Sequence, residues 1–327
     1  MRALLPLEWC SRRRFIGYGA AAMSITPAFA QPQTPPQNPK PPPPNDTGQV
    51  AAQTDAAQHL TIDVMINGKG PFRFVVDTGA DRSVIADSVA MALGLLQGQQ
   101  VMVAGIVRTL SAQTVRLNNI SFGSVSHDNL VVPILPRYLL AADGYLGLDV
   151  IDGQRVTLDF KNRSLRITEP RYARMFGVMP PNEAKVNLSG RQGHLRAVNC
   201  SADGVRTTSF IDTGAEVSVG NTRLYEALVD RDPDYIKVGV VPLTGVTGGV
   251  IDGSVTMIKK VVLHGVVFAN CYIAIADMQI FRIWDLADVP AMLIGMNFLR
   301  QFSRVSIDYG SKEIRFDLAR LVLAERT

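Results

Sequence analysis

Two carboxylates in matching settings carry the chemistry of this sequence. Asp77-Thr78-Gly79 and Asp212-Thr213-Gly214 each follow a pair of apolar residues, and each precedes an alanine and then an acid. Two facing carboxylates suffice for hydrolysis without metal or covalent nucleophile: one takes a proton from water, and the other gives one to the carbonyl oxygen under attack. Held close, both cannot easily be ionised, so one proton is shared and the pair titrates with two separated apparent pKa values. Gly79 and Gly214 suit a turn that presses backbone against the carboxylates, and Thr78 and Thr213 can each add a hydroxyl bond that fixes the loop. A single Asp-Thr-Gly reads as an Asx turn. The duplicated context favours the chemical reading.

The duplication extends well past the tripeptide. Phe74-Val75-Val76-Asp77-Thr78-Gly79-Ala80-Asp81 stands against Ser209-Phe210-Ile211-Asp212-Thr213-Gly214-Ala215-Glu216. Downstream, Tyr145-Leu146-Gly147-Leu148-Asp149-Val150-Ile151 is echoed by Leu293-Ile294-Gly295-Met296-Asn297-Phe298-Leu299, and Val156 to Phe160 by Val305 to Tyr309. Three blocks in the same order, at offsets of about 135 to 150 residues, indicate a tandem repeat whose copies differ by loop insertions. A fourth comparison sets Val261 to Phe268 beside Val115 to Phe122, as consecutive hairpin strands.

The elements that must position these acids are short strands. From Leu60 to Ile167 the chain alternates Val, Ile and Leu segments with turns such as Asn67-Gly68-Lys69-Gly70-Pro71 and Asp152-Gly153. One helix is expected from Asp87, as N-cap, to about Leu95. The second half repeats the pattern, with strands near Leu195 to Val198 and Thr207 to Ile211 and a helix around Thr222 to Leu228. The stretch from Met278 to Pro290, with Phe281 and Trp284, exceeds its counterpart in the first half and is read either as the lining of a substrate subsite or as a loop packed on its own lobe.

These motifs resemble those of the retropepsin and pepsin clan of aspartic proteases, over both halves and so over most of the chain. The Asp-Thr-Gly-Ala-Asp and Leu-Ile-Gly-Met-Asn-Phe-Leu runs look especially like retropepsins. The resemblance implies an all-β fold of two homologous retropepsin-like β-barrel lobes with short helices, related by a pseudo-twofold axis around a central cleft. It implies a polypeptide substrate and endopeptidase activity, with Asp77 and Asp212 catalytic and Thr78, Gly79, Thr213 and Gly214 supporting them. Ala80, Asp81, Ala215 and Glu216 match positions that contact substrate backbone in the family. Such enzymes cover their clefts with hairpin flaps. Val103 to Val107, through Gly105, and Leu243 to Val250, through Gly245, Gly248 and Gly249, are the matching segments. Alanine replaces the serine that follows Asp-Thr-Gly in pepsins, which removes a hydroxyl able to favour the charged carboxylate and predicts a less acidic optimum.

Composition narrows the setting. Of the formal charge of +4, three units come from residues 1 to 30, where Arg2, Arg12, Arg13 and Arg14 face Glu8 alone. The remaining +1 gives no footprint for nucleic acid. Ser11-Arg12-Arg13-Arg14-Phe15-Ile16-Gly17 resembles a twin-arginine export signal, and Ala28-Phe29-Ala30 ends a weakly apolar stretch in an A-x-A pattern. Engagement of the twin-arginine machinery, cleavage after Ala30, a periplasmic or secreted product and no stable membrane span are therefore expected. The expected divisions are a signal peptide at 1–30, a Pro/Gln-rich linker at 31–57, lobes at 58–169 and 193–319, an interlobe connection at 170–192 and a tail at 320–327.

Cys200 and Cys271 both fall in the second lobe, where they either bridge in an oxidising compartment or remain two small buried thiols. His59, His127, His194 and His264 lie far apart without ligand spacing, and no zinc pattern, Gly-x-Ser-x-Gly elbow or His-Glu-x-x-His helix competes. The expected site uses water, with no metal and no cofactor. Two rival arrangements remain. One is a catalytically silent periplasmic peptide-binding or scaffolding protein on the same fold, against which both intact aspartates weigh. The other is a dimer that builds each site between two chains.

Overall fold

The computed structural model describes residues 49–51, 53–54, 60–168, 183–189, 196–263 and 266–317. The twin-arginine segment, the proline run, Cys10 and the tail lie outside the described residues. The first repeat runs β1 (Gln49–Ala51), β2 (Gln53–Thr54), β3 (Leu60–Ile66), β4 (Lys69–Val76), β5 (Val84–Ala86), α1 (Asp87–Ala92), β6 (Gln97–Ala104), β7 (Thr109–Phe122), β8 (Val125–Leu135), β9 (Gly144–Leu146), α2 (Leu148–Ile151), β10 (Arg155–Asp159) and β11 (Ser164–Thr168). The second runs β12 (Glu183–Ser189), β13 (Arg196–Ala202), β14 (Val205–Ile211), β15 (Val219–Gly220), α3 (Thr222–Arg231), β16 (Lys237–Thr244), β17 (Val250–Leu263), β18 (Val266–Ile275), α4 (Gln279–Ile283), β19 (Ala291–Ile294), α5 (Met296–Leu299), β20 (Arg304–Asp308) and β21 (Glu313–Asp317). No helix among the described residues is long and apolar enough to cross a membrane.

The two halves are built alike. In the first, β3, β4, β9, β5, β8 and β7 pair in that order, and β7 returns to β3. In the second, β13, β14, β19, β15, β18 and β17 make the same circuit, closed by β17 against β13. Closure removes open edges and leaves each interior to be filled by alternate side chains. The expected all-β fold of two lobes is what the chain adopts. β7 and β17 are each 14 residues long with nearly the same alternation of buried and exposed positions. Their first halves pair with β6 and β16 and project as the two hairpins of the flap segments.

A six-stranded antiparallel layer joins the lobes, in the order β1, β11, β10, β20, β21, β12. At its centre Thr157 pairs with Ser306, their hydroxyl oxygens 3.2 Å apart. Val156, Leu158, Val305 and Ile307 alternate inward and are fully buried. Outward, Arg155 donates to Asp308 across the two repeats and Arg304 donates to Asp159 in the reverse sense. Burial opposes ionisation of both acids, but their hydrogen bonds and arginine partners outweigh it and hold both below the usual carboxylate range. Behind the second barrel, Phe302 packs on Phe268 and Phe316, tying β18 to the interlobe layer.

Several expectations change. The stretch read as linker supplies β1 and β2, and the stretch read as connection supplies β12, which pairs with both β21 and β13. β1 and β2 are only three and two residues long, too short to show a period, and β12 is set by its pairing to β21, more than 120 residues away. Helix α1 stops at Ala92 because Gly94 turns into the left-handed region (φ +63). Its N-cap is Ala86, and Asp87 instead accepts from the backbone of Ser88 and Arg137. Helix α3 extends to Arg231. Val115 to Phe122 lies in one strand, whereas Val261 to Phe268 spans β17 and β18; the true counterpart of β7 is β17.

Cys200 and Cys271 are free and buried, so the thiol alternative holds. They sit on β13 and β18 with β17 between them, opposite Leu263 and Ile258 respectively. Two strand spacings put them about 9.5 Å apart laterally, beyond disulfide reach. Burial pushes both thiols up to about 11.

Candidate active site

Each catalytic-type loop grows from a buried strand. Phe74, Val75 and Val76 of β4, and Phe210 and Ile211 of β14, are sealed in the barrels, so the chain emerges at Asp77 and Asp212 from a rigid base. The Asp77 amide donates to Leu146 O and the Asp212 amide to Ile294 O, both at 2.9 Å. Gly79 N donates to Asp77 Oδ1 and Gly214 N to Asp212 Oδ1, both at 2.8 Å. The lobes then exchange threonines. Thr78 Oγ1 donates to Ile211 O (3.0 Å) and accepts from Thr213 N (3.0 Å). Thr213 Oγ1 donates to Val76 O (2.6 Å) and accepts from Thr78 N (3.1 Å). Both threonines are buried, so four backbone groups of the turns depend on the opposite lobe.

This exchange sets the two carboxyls face to face. A β-carbon on Gly79 would lie 2.7 Å from Asp212 Cγ, and one on Gly214 would lie 2.5 Å from Asp77 Cγ. Each glycine therefore makes room for the acid of the other lobe rather than its own. Burial, then the charge of Asp212, raises the Asp77 pKa well above the ordinary value, against the Gly79 amide that lowers it. The arrangement favours a pair that shares one proton.

A second ring of bonds holds the turns from behind. Ser83 donates from N (2.8 Å) and Oγ (2.7 Å) to Asp149 Oδ1, and its Oγ accepts from Gly147 N. Ser218 repeats this with Asn297 Oδ1 (2.9 and 2.7 Å) and Gly295 N. Burial raises the Asp149 pKa despite its bonds from Ser83. Beneath the grip Tyr309 is buried with its hydroxyl toward Thr78, and burial drives its pKa upward. Sequence reasoning matched the blocks around Gly147 and Gly295 but passed over Ser83 and Ser218, although these stand at the same interval after their aspartates.

The cleft above the acids measures about 330 Å³. Asp77, Gly79, Ala80, Gly105, Asp212, Gly214, Ala215, Glu216 and Gly245 line it. Asp81, expected beside substrate, is exposed outside this lining, and its carbonyl accepts from Asp149 N. Gly248 and Gly249 also fall outside the lining. With φ of +79° and +83° they shape the tip of the second flap against Arg108 and Val107 of the first. The tips clasp reciprocally: Arg108 Nε donates to Thr247 O (2.9 Å), and Thr247 Oγ1 donates to Arg108 O (2.7 Å). Met278, Ile280 and Trp284 bring the long second-lobe stretch to the cleft, and Leu139 and Ala141 come from its shorter counterpart.

No curated protein matches the chain. A family model described as aspartyl protease matches residues 62–150 and 198–298, one segment in each lobe and each containing one Asp-Thr-Gly. Together the segments span more than half of the sequence, so the chain belongs to the aspartyl protease family.

Proposed function

We propose that this protein is an aspartic endopeptidase that uses Asp77 and Asp212 together to activate water. The observation that carries the reading is the pair of glycines, each of which leaves room only for the carboxyl of the opposite lobe. The ionised member of the pair takes a proton from a water between the carboxyls. The protonated member gives its proton to the substrate carbonyl oxygen, and the tetrahedral species collapses as the proton taken from water passes to the leaving nitrogen. The Gly79 and Gly214 amides and the threonine exchange hold both acids in register through these transfers.

Export by the twin-arginine route, with cleavage after Ala30 and action in the periplasm or outside the cell, belongs to the same proposal. It rests on the arginine cluster and the A-x-A pattern of the sequence. The test incubates protein lacking residues 1–30 with a denatured protein mixture, with and without a statine-type inhibitor. Cleavage that the inhibitor stops, and that Asp77→Asn and Asp212→Asn each abolish, is the expected result. Cleavage indifferent to both substitutions would overturn the assignment.

A further inference from the structure

The mirror relation of the two threonines breaks directly beneath them. Tyr309 follows β20 at the place that Phe160 takes after β10, and the two residues hold corresponding backbone bonds across the lobes: Tyr309 N donates to Gln154 O, and Phe160 N to Ser303 O, both at 3.0 Å. Only Tyr309 carries a hydroxyl. The residue is 5% exposed, and its hydroxyl oxygen is sealed from solvent without completing a hydrogen bond among the described residues. A buried donor left in that state costs about 1–3 kcal/mol, so the group it faces matters.

That group is the side chain of Thr78, with the carboxyls of Asp77, Asp152 and Asp212 as the charged neighbours. Thr78 Oγ1 gives its proton to Ile211 O and accepts from Thr213 N, which leaves its second lone pair open. A donor without an acceptor therefore lies beside an acceptor with room. Burial keeps the phenol uncharged, so it brings a proton to the acid-bearing turns and no negative charge. A bond from Tyr309 to Thr78 lengthens the chain that ends on Ile211 O, the carbonyl of the peptide leading into Asp212. Hydrogen bonds joined in this way strengthen one another in a low dielectric.

We infer that Tyr309 is a positioning residue of the acid pair: its hydroxyl donates to Thr78, fixes the grip from below, and favours the singly ionised pair over the fully protonated one. The catalytic part of this inference rests on the protease reading, but ionisation of the pair can be followed without hydrolysis. The test compares the parent protein, lacking residues 1–30, with Tyr309→Phe, which keeps the ring and installs the first-lobe residue. Two profiles are measured from about pH 3 to 8: kcat/KM on a peptide taken from a cleaved site, and the thermal midpoint. Loss of the donor disfavours the ionised pair, so the acidic limb of kcat/KM and the pH at which the midpoint stops falling should each move up by about half a unit, a threefold change in the ionisation constant. At the optimum kcat should fall about threefold to tenfold with KM little changed. In a Thr78→Val background the same substitution should move neither profile, because the hydroxyl acts through Thr78.

Unmoved profiles in Tyr309→Phe overturn the inference, as does a midpoint changed by the same amount at every pH, which is what a merely structural hydroxyl would give. An equal shift in the Thr78→Val background overturns it too, and the single substitution decides alone if that background does not fold. Failure of the two readings can be told apart. A protein that never cleaves yet shows the shifted midpoint profile sinks the hydrolytic reading alone, and one that cleaves with both profiles unmoved sinks only this one.

Discussion

The two lobes agree wherever they must meet as equals and differ wherever they shape what enters. Thr78 and Thr213 make mirror-image bonds, and Ser83 and Ser218 brace their loops in the same way. Away from the axis the copies part. Asp149 corresponds to Asn297, Ala86 to Asn221, and a short connection to the one that carries α4. The first flap is tied to Gln279 as well as to Thr247, whereas the second is glycine-rich at its tip and, among the described bonds, is joined to the first lobe through Thr247 and Arg108. Duplication thus supplies a symmetric base, and unequal loops turn it into a cleft with two distinct sides.

The sharpest test of the symmetric part is the acids themselves. Asp77→Asn and Asp212→Asn should each lower kcat/KM by about a thousandfold or more, since either loss removes acid or base from a two-group mechanism. The effect of Asp77→Asn on stability should depend on pH. Asp77 has a folded pKa raised above its unfolded value, so the folded state holds the extra proton and stability falls as pH rises from about 4 through the raised value. Asp77→Asn should therefore raise the thermal midpoint at neutral pH and leave it little changed at pH 3. A midpoint lowered at pH 7 would contradict the shared-proton account.

The asymmetric part is tested next by exchanging positions. Asn221→Ala copies the first lobe and strands a buried carbonyl at Leu286 and a partly buried one at Val289, as well as the helix cap to Leu224 N. It should cost about 2–4 kcal/mol in urea unfolding, whereas Ala86→Asn should gain nothing. Thr78→Val and Thr213→Val should each cost about 1–3 kcal/mol, because each leaves a buried carbonyl and a buried amide without a partner. If one costs far more than the other, the grip is not symmetric. The smallest effect belongs to Asp149→Asn, which gives the first lobe the chemistry of the second. Burial raises Asp149, so its ionisation weakens the fold above pH 4, and the amide should flatten the stability profile between pH 4 and 7 by about 1 kcal/mol or less.

Much of the site was legible because its parts are local. The turn, its glycine, its approaching strand and the later apolar-Gly block each fall within about eight residues, and repetition made each copy a check on the other. What stayed hidden depends on residues more than 130 positions apart. Nothing near Gly79 states that the carboxyl filling its space is Asp212. Likewise Gln279 looks like an ordinary surface residue until the first flap is laid beside it. Strand β12 was missed for the same reason, since its pairing to β21 spans most of the second lobe. The counterpart of β7 was misplaced by five residues, since Val115 corresponds to Thr256 and the apolar rhythm from Val261 to Phe268 belongs to two strands rather than one.

By itself, then, the amino-acid sequence determined that there are two copies of one acid-bearing turn and that each stands on a buried strand. Tertiary structure decided that the copies face each other, that their acids are buried together so that one proton is shared, where Cys200 and Cys271 come to rest, and that the second lobe reaches over to hold the flap of the first. The division follows from the range of the interactions. Backbone turns and alternation are settled by neighbours in the chain, whereas burial, charge coupling and interlobe hydrogen bonds exist only once distant segments have packed.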